Sequence, residues 1–335
     1  LQIAPIQRPL GDDAKLALIA RENHQYLVII GEGTIMRVGF IGVGNMGGPI
    51  ATHLVEAKHE VQAFDLNEQS LERVVELGAQ RASSASNAAE GAEVVFLSLP
   101  MPSDVEQVVS GDGGLFDVMA SGTTVIDLST SSPSLSRDLA VEGKERGIDF
   151  LDAPVSGGVY GARKGTLAVM VGGSEEAFAR CQSLLETFGA KVVRCGDAGA
   201  GNVVKAVNNM LAFIGMMGTT EALLLGAKAG VDPRILREVV EASSGASFVW
   251  NSGTRAILRD RLAPSFTNSL ACKDIGLAVD LAEEFEVPVP MGRRTQQLLE
   301  QYRDNGFADE DVLATIRFLE EEADFVVRGL APDVS

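Results

Sequence analysis

The sequence holds only three cysteines, Cys181, Cys195 and Cys272, and none lies in a CxxC or Cys/His spacing. That pattern argues against a disulfide framework and a zinc site, so no metal is expected and the thiols read as reduced and mostly buried. Aromatic residues are scarce at 5%, with one tryptophan. Positive charge is also short: 28 Lys and Arg face 46 Asp and Glu, a formal charge of -18. A field of that sign repels a phosphate backbone and anionic lipid over most of the surface, so neither nucleic acid nor a membrane is expected as a partner. The longest apolar stretch, residues 203–230, is interrupted by Lys205, Asn208, Asn209, Glu221 and Lys228 and reads as a buried helix of a soluble protein. Residues 1–15 are broken by Pro5, Pro9, Gly11 and two aspartates, which does not fit a signal peptide, and a cytoplasmic location is expected. Glycine, in contrast, is plentiful at 36 residues, a sign of tight turns and close backbone approaches.

A length of 335 residues predicts two domains. From Arg37 onward, short β-branched runs alternate with longer helical stretches: RVGFIG, EVQAF, EVVFLSL, TTVIDL, DFLDAP, LAVMVGG and KVVR. Alternation of this kind predicts an α/β fold with βαβ units around a mainly parallel sheet. Strand signals stop after Gly196, and the rest reads as helix punctuated by turns at 230–233, 243–245, 264, 288–290 and 305–306. The expected division is therefore 36–198 and 199–335. Residues 1–35 are an extension of unclear role or a non-native start, in which LALIA and YLVII around RENHQ suggest a hairpin.

Gly42-Val43-Gly44-Asn45-Met46-Gly47 is a GxGxxG between an apolar strand and a helical stretch that begins near Pro49. Glycines there allow a tight turn and a close approach of backbone to a pyrophosphate, and the helix N-terminus offers unpaired N–H groups to it. Asp65 follows 23 residues after Gly42, where a carboxylate can accept hydrogen bonds from the adenosine ribose. It would repel a 2'-phosphate, and Leu66 and Asn67 supply no arginine, so NAD is preferred, with NADP the alternative. No Gly-Lys-Ser/Thr follows, which excludes a Walker-type loop.

A long helix is predicted over 197–228, with Lys205, Asn208 and Asn209 on one face. Polar groups in so apolar a helix are costly unless hydrogen-bonded or used. A buried lysine can exchange a proton with a carbonyl or hydroxyl oxygen as a hydride moves. It can equally be an interfacial lysine paired with a carboxylate, and spacing alone favours neither.

The ordered motifs GFIGVGNMG (39–47), SLP (98–100), DLSTSSP (127–133), DAPVSGG (152–158), GTLAVMVGG (165–173), GAGNVVKAVNN (199–209) and KDIGLA (273–278) resemble the β-hydroxyacid dehydrogenase family over about residues 36–325. The resemblance implies a Rossmann-type, doubly wound domain, a connecting helix and an all-helical C-terminal domain that drives homodimer or homotetramer formation. It implies Lys205 as the catalytic proton donor/acceptor, with Asn209 orienting the substrate. It further implies Ser129, Ser156, Gly157 and Gly158 as a cradle for a small anionic substrate, with Phe266 and Asp274 nearby. Gly42, Gly44, Asn45, Met46, Gly47, Asp65, Leu99, Pro100, Asp104, Thr130 and Lys273 are the implied cofactor contacts. The lysine helix has no histidine, unlike the phosphosugar-oxidising relatives, and it keeps the lysine that imine reductases usually replace. The implied activity is NAD-dependent hydride transfer on a small β-hydroxy acid or its semialdehyde, as in 3-hydroxyisobutyrate dehydrogenases. The alternatives are an NADP-linked 2-hydroxy-3-oxopropionate, glyoxylate or succinic semialdehyde reductase and a non-catalytic NAD-binding scaffold. The basic segment 159–164 reads as a solvated turn, with a contact to a second anionic group on the substrate as the alternative, and the acidic run Asp309 to Asp324 reads as a solvated helical face.

Overall fold

The computed structural model describes the backbone of residues 14–21 and 24–31 and all atoms of residues 35–330. Strands β1 (Ala14–Arg21) and β2 (His24–Gly31) pair antiparallel from Ala14↔Gly31 to Arg21↔His24.

The main sheet contains β3 (Arg37–Ile41), β4 (Glu60–Phe64), β5 (Gln80–Arg81), β6 (Val94–Leu97), β7 (Thr124–Asp127), β8 (Asp149–Asp152), β9 (Val155–Ser156), β10 (Leu167–Gly172) and β11 (Gly189–Gly196). Its order is β11-β10-β8-β7-β6-β3-β4-β5, with β9 added on β10. Strands β3 to β8 are parallel to their neighbours, whereas β10 runs antiparallel to β8 and parallel to β11. Winding proceeds outward from β3 through β4 and β5, then restarts on its other side with β6. The crevice at the carboxyl ends of β3 and β6 is therefore the topological switch point where such sheets bind dinucleotides. Both faces are covered. Val38, Phe40, Val94 and Phe96 enter one apolar cluster with the helices Gly47–Glu56 and Glu175–Leu185, while Ile41, Val95, Leu97 and Val125 enter another with Pro102–Ser110 and Pro133–Glu145. Strands buried on both sides read as continuous apolar runs, which is why they stand out in the sequence.

Beyond Gly196 the regular elements among the described residues are helices joined by turns and loops, with one isolated bridge between Thr267 and Asp311. The 29-residue helix Ala200–Lys228 leaves the end of the sheet and is packed by Phe248–Leu258, Asn268–Glu284 and Pro290–Tyr302. It begins three residues later than the sequence suggests, because Gly199 takes a left-handed φ of +89° that breaks the helix before it. Nor is this helix fully buried: 39% of its most apolar 18-residue stretch is covered, and Leu211 and Leu225 are exposed.

Two other expectations change. Residues 158–164 form a short helix closed by left-handed Gly165 rather than an open turn, since that glycine supplies the stop. Within the acidic run, Asp311 and Glu320 are buried. The Asp311 carboxylate accepts the Ser265, Phe266 and Leu313 N–H groups, and Glu320 holds the Val327 and Arg328 N–H groups together with the Arg328 guanidinium. Those two carboxylates replace backbone partners that loop segments lack.

Candidate functional site

The glycine turn follows β3 directly. Gly42 has a φ of +87°, and a Cβ there would lie 2.4 Å from the Ser98 carbonyl oxygen; one on Gly47 would lie 1.9 Å from the Gly42 oxygen. Both positions exclude any larger residue. A Cβ on Gly44 would meet nothing within 4 Å, so the outer side of the turn is open where backbone must approach a ligand. The helix Gly47–Glu56 has no side-chain cap and no acidic residue in its first turn, leaving its N–H groups and positive dipole end to an anion. Asn45 and Met46 stand at that opening.

Asp65, just past β4, turns its carboxylate onto this loop. Oδ2 accepts the Val43 N–H at 2.8 Å and Oδ1 accepts the Asn67 N–H at 2.7 Å. Each oxygen keeps lone-pair capacity for a ribose hydroxyl. Leu66 beside it is almost wholly exposed, and Arg81 on the adjoining β5 is tied to Glu68 and Glu72. The cradle, the bare helix end and the placed carboxylate fit a dinucleotide.

A second group lies where the sheet meets the helical part. Lys205 Nζ donates to the Val155 carbonyl at 2.8 Å, which sets the lysine beside Ser156, Gly157 and Gly158. Burial lowers the Lys205 pKa, with Lys273 acting in the same direction and Asp274 against it. One turn on, Asn209 Nδ2 donates to Asp274 Oδ2 at 2.6 Å, and Asn208 Nδ2 donates to Asn209 Oδ1 at 3.1 Å. Another turn on, the Phe213 ring stacks on Phe266 at 5.9 Å. Lys273 Nζ lies 2.9 Å from Asp274 Oδ1 and also donates to the Thr130 carbonyl at 2.9 Å. The Ser129 hydroxyl accepts the Leu99 N–H at 2.8 Å.

Ser129, Thr130 and Leu99 are thus joined through Lys273, Asp274 and Asn209 to the helix face that carries Lys205. Phe266 belongs to the same group. Pro100 is exposed at its margin, and Asp104 accepts the Met101 N–H at 3.2 Å, capping the helix Pro102–Ser110. A concavity of about 550 Å³ lies elsewhere, around Glu221, Leu225 and Lys228. Leu225 is 20 residues beyond Lys205, about 30 Å along the helix, so this hollow is separate from the polar group.

Three buried residues at the site were not singled out in the sequence. Asp152, at the end of β8, accepts the Gly199 N–H at 2.7 Å and the Asn202 N–H at 2.8 Å, anchoring the start of the long helix. Burial raises its carboxyl to about 6 against these hydrogen bonds. Asn202 accepts the Ser131 N–H at 3.0 Å and donates to Ser136 at 3.1 Å. Asp127, at the end of β7, accepts the Ser129 N–H at 2.9 Å, and its Oδ2 has no hydrogen-bond partner. Burial pushes Asp127 up to about 7; the Ser129 hydroxyl and N–H pull it down, Asp152 adds to the rise, and Lys273 opposes it. The available signal was a carboxylate ending an otherwise apolar strand.

Comparison with known proteins agrees with this geometry. Residues 37–196 match the family described as the NAD binding domain of 6-phosphogluconate dehydrogenase, and residues 199–319 match the one described as NAD-binding of NADP-dependent 3-hydroxyisobutyrate dehydrogenase. The chain is 39% identical to 2-(hydroxymethyl)glutarate dehydrogenase of Eubacterium barkeri, covering 88% of this chain and 98% of that one. It is 43% identical to 3-hydroxyisobutyrate dehydrogenase of Pseudomonas aeruginosa, covering 78% and 90%. Among solved structures, Mycobacterium tuberculosis 3-hydroxyisobutyrate dehydrogenase with L-serine superposes with a TM-score of 0.77 at 30% identity, covering 85% and 99%. With residues 37–196 and 199–319 matched in order and relatives of this identity covered almost end to end, the chain belongs to the β-hydroxyacid dehydrogenase family, whose cofactor is NAD(P).

Proposed function

We propose that this protein is an NAD-dependent dehydrogenase of a small β-hydroxy acid, interconverting the alcohol and the corresponding semialdehyde, with Lys205 as the proton donor/acceptor. The observation that carries the reading is Lys205 itself: a desolvated amine held on the Val155 carbonyl, between the glycine pair 157–158 and the Asn209–Asp274 pair. The cofactor half is 36–198, and the helical half, 199–335, completes the substrate site.

When bound, the nicotinamide supplies the hydride acceptor or donor. The remaining tasks fall to the chain. Gly42 to Gly47 and the helix behind them receive the diphosphate, with Asn45 and Met46 at the opening, and Asp65 receives the ribose. Leu99, Pro100, Asp104 and Thr130 line the continuation of the cofactor groove, and Lys273 reaches it from the helical half. Ser129, Ser156, Gly157 and Gly158 hold the substrate carboxylate through hydroxyl and N–H donors, which bind an anion without bulk. Asn209 fixes the substrate hydroxyl, Phe266 closes the apolar side, and Lys205 takes the hydroxyl proton during oxidation and returns it during reduction. Holding the reacting groups in line supplies much of the acceleration.

NAD is preferred over NADP because Asp65 occupies the place of a 2'-phosphate while Arg81 is already paired. The relatives named above act on 3-hydroxyisobutyrate and 2-(hydroxymethyl)glutarate, which makes these two acids and serine the first substrates to try. The screen runs them with both cofactors, in the wild type and in Asp65→Ala. Turnover with NAD on at least one acid is expected, with NADP poor in the wild type and discrimination relaxed in the variant. No turnover of any acid, or discrimination unchanged in Asp65→Ala, would count against the corresponding half of the reading. Cytoplasmic placement and assembly into a homodimer or homotetramer belong to the same proposal. The support for assembly is the uncovered apolar face of the long helix at Val204, Val207, Leu211 and Leu225.

A further inference from the structure

The turn that carries Ser156 and Gly157 leads directly into the short helix Gly158–Lys164, and that helix is its support. The Gly161 N–H donates back to the Gly157 carbonyl at 3.0 Å, so the glycine pair moves with the helix. A helix of 7 residues does not hold itself in water and depends on what it packs against. Its last carbonyls also need partners. The Thr166 N–H reaches the Gly161 carbonyl at 3.0 Å, whereas the Ala162 carbonyl has from its own segment only the Gly165 N–H, at 3.4 Å. Ala162 is fully buried, where a poorly satisfied carbonyl is costly.

His53, which no step above uses, supplies the missing donor. It lies in the last turn of the helix Gly47–Glu56, and its Nε2 stands 3.0 Å from the Ala162 oxygen, across 109 residues of sequence. A carbonyl only accepts, so Nε2 carries the hydrogen and donates it. The ring is mostly buried, and a Cβ on Gly165 would lie 3.4 Å from its Cε1, so it fits closely against the end of the short helix. Ala162 joins the same apolar cluster as Ile50, Ala51 and Leu54 from the helix that carries His53. We infer that His53 is a positioning residue for the substrate: its imidazole N–H pins the carboxyl end of the short helix and so fixes where Ser156, Gly157 and Gly158 stand relative to Lys205. The inference rests on the reading of those three residues as part of the substrate cradle. Gly47, at the end of the helix that receives the diphosphate, is six residues from His53, about 9 Å along one rigid element. That element therefore underlies both the cofactor and the substrate cradle.

Without the pin the cradle spends part of its time out of place, and a bound acid must draw it back. If the competent arrangement falls to about a tenth of the population, the KM of the acid rises roughly 10-fold, while kcat at saturation is recovered. The test is steady-state kinetics of the hydroxy acid in the full-length holoenzyme with saturating NAD. His53→Met keeps a long side chain that fills the space but offers no donor, and it should show that rise in KM with kcat and the KM of NAD little changed. His53→Gln places an amide N–H the same number of bonds from the backbone as Nε2, and it should restore the wild-type KM. A merely structural role would instead lower the active fraction, so that kcat falls and KM holds; that pattern overturns the inference, as does a wild-type KM in His53→Met. Should the methionine variant not fold, His53→Gln decides: a wild-type KM supports the pin, and a raised KM removes it. Ser156→Ala separates the two readings. If it raises KM while His53→Met does not, His53 alone is misassigned. If it leaves KM unchanged, Ser156 does not hold the substrate, and the cradle and the inference built on it fall together.

Discussion

Lys205 is the residue on which the proposed chemistry turns, and its environment sets a sign. Burial disfavours the ammonium form, so the folded-state pKa lies below the 10.5 of a free lysine. Oxidation of a hydroxy acid requires the neutral amine. Its kcat/KM should therefore rise with pH and level off before 10.5, whereas reduction should run best on the acid side of the same midpoint. Because the unfolded chain binds the proton more tightly than the folded one, the stability lost to burying this charge is recovered as pH climbs from the folded value to 10.5. Lys205→Ala should lower kcat by about 10²- to 10⁴-fold with a much smaller change in KM. Near-normal turnover in that variant would falsify the acid/base role. The sequence left two readings of this lysine open, and the carboxylate pairing that one of them required is made by Lys273 with Asp274.

Strands and helices were legible because each carries its own period, a doubly buried run for β3, β6 and β7 and an apolar stripe for the helices. The two-residue strands β5 and β9 are too short to show any period. What joins elements was less legible, since it depends on partners far apart in the chain. Asp152 reads as the end of a strand; its job appears only when the backbone brings Gly199 and Asn202, about 50 residues later, onto its carboxylate. Asn202 was opaque for the same reason, since its partners Ser131 and Ser136 lie 71 and 66 residues earlier, and Lys205 and Asn209 stood out because they interrupt an apolar helix. Asp152→Ala would strand two buried N–H groups at the start of the long helix. At about 1–3 kcal/mol for each buried donor left unsatisfied, the loss should be roughly 2–6 kcal/mol. A urea denaturation midpoint shifted by less than the scatter among surface substitutions would show the clamp to be dispensable.

At the scale of the whole molecule, a chain of formal charge -18 must attract an anionic cofactor and an anionic substrate. The favourable groups are local: a bare helix end, backbone N–H groups, and two lysines partly shielded by the helical half. That half is itself incompletely covered. Val204, Val207, Leu211 and Leu225 project from the long helix, and the helix Pro233–Glu241 buries none of its residues while exposing Ile235 and Val239. An apolar face of this extent is unfavourable in water, and the proposed assembly would cover it. The long helix carries Lys205 one residue from Val204, so covering this face would also brace Lys205. A second copy is the proposed occupant, and sedimentation of the wild type should give at least twice the 35.3 kDa chain mass. The double variant Leu211→Asp/Leu225→Asp should fall to the single-chain mass, with charges of like sign brought together at the interface. A wild type that sediments as one chain at micromolar concentration would remove the second copy as the occupant of this face.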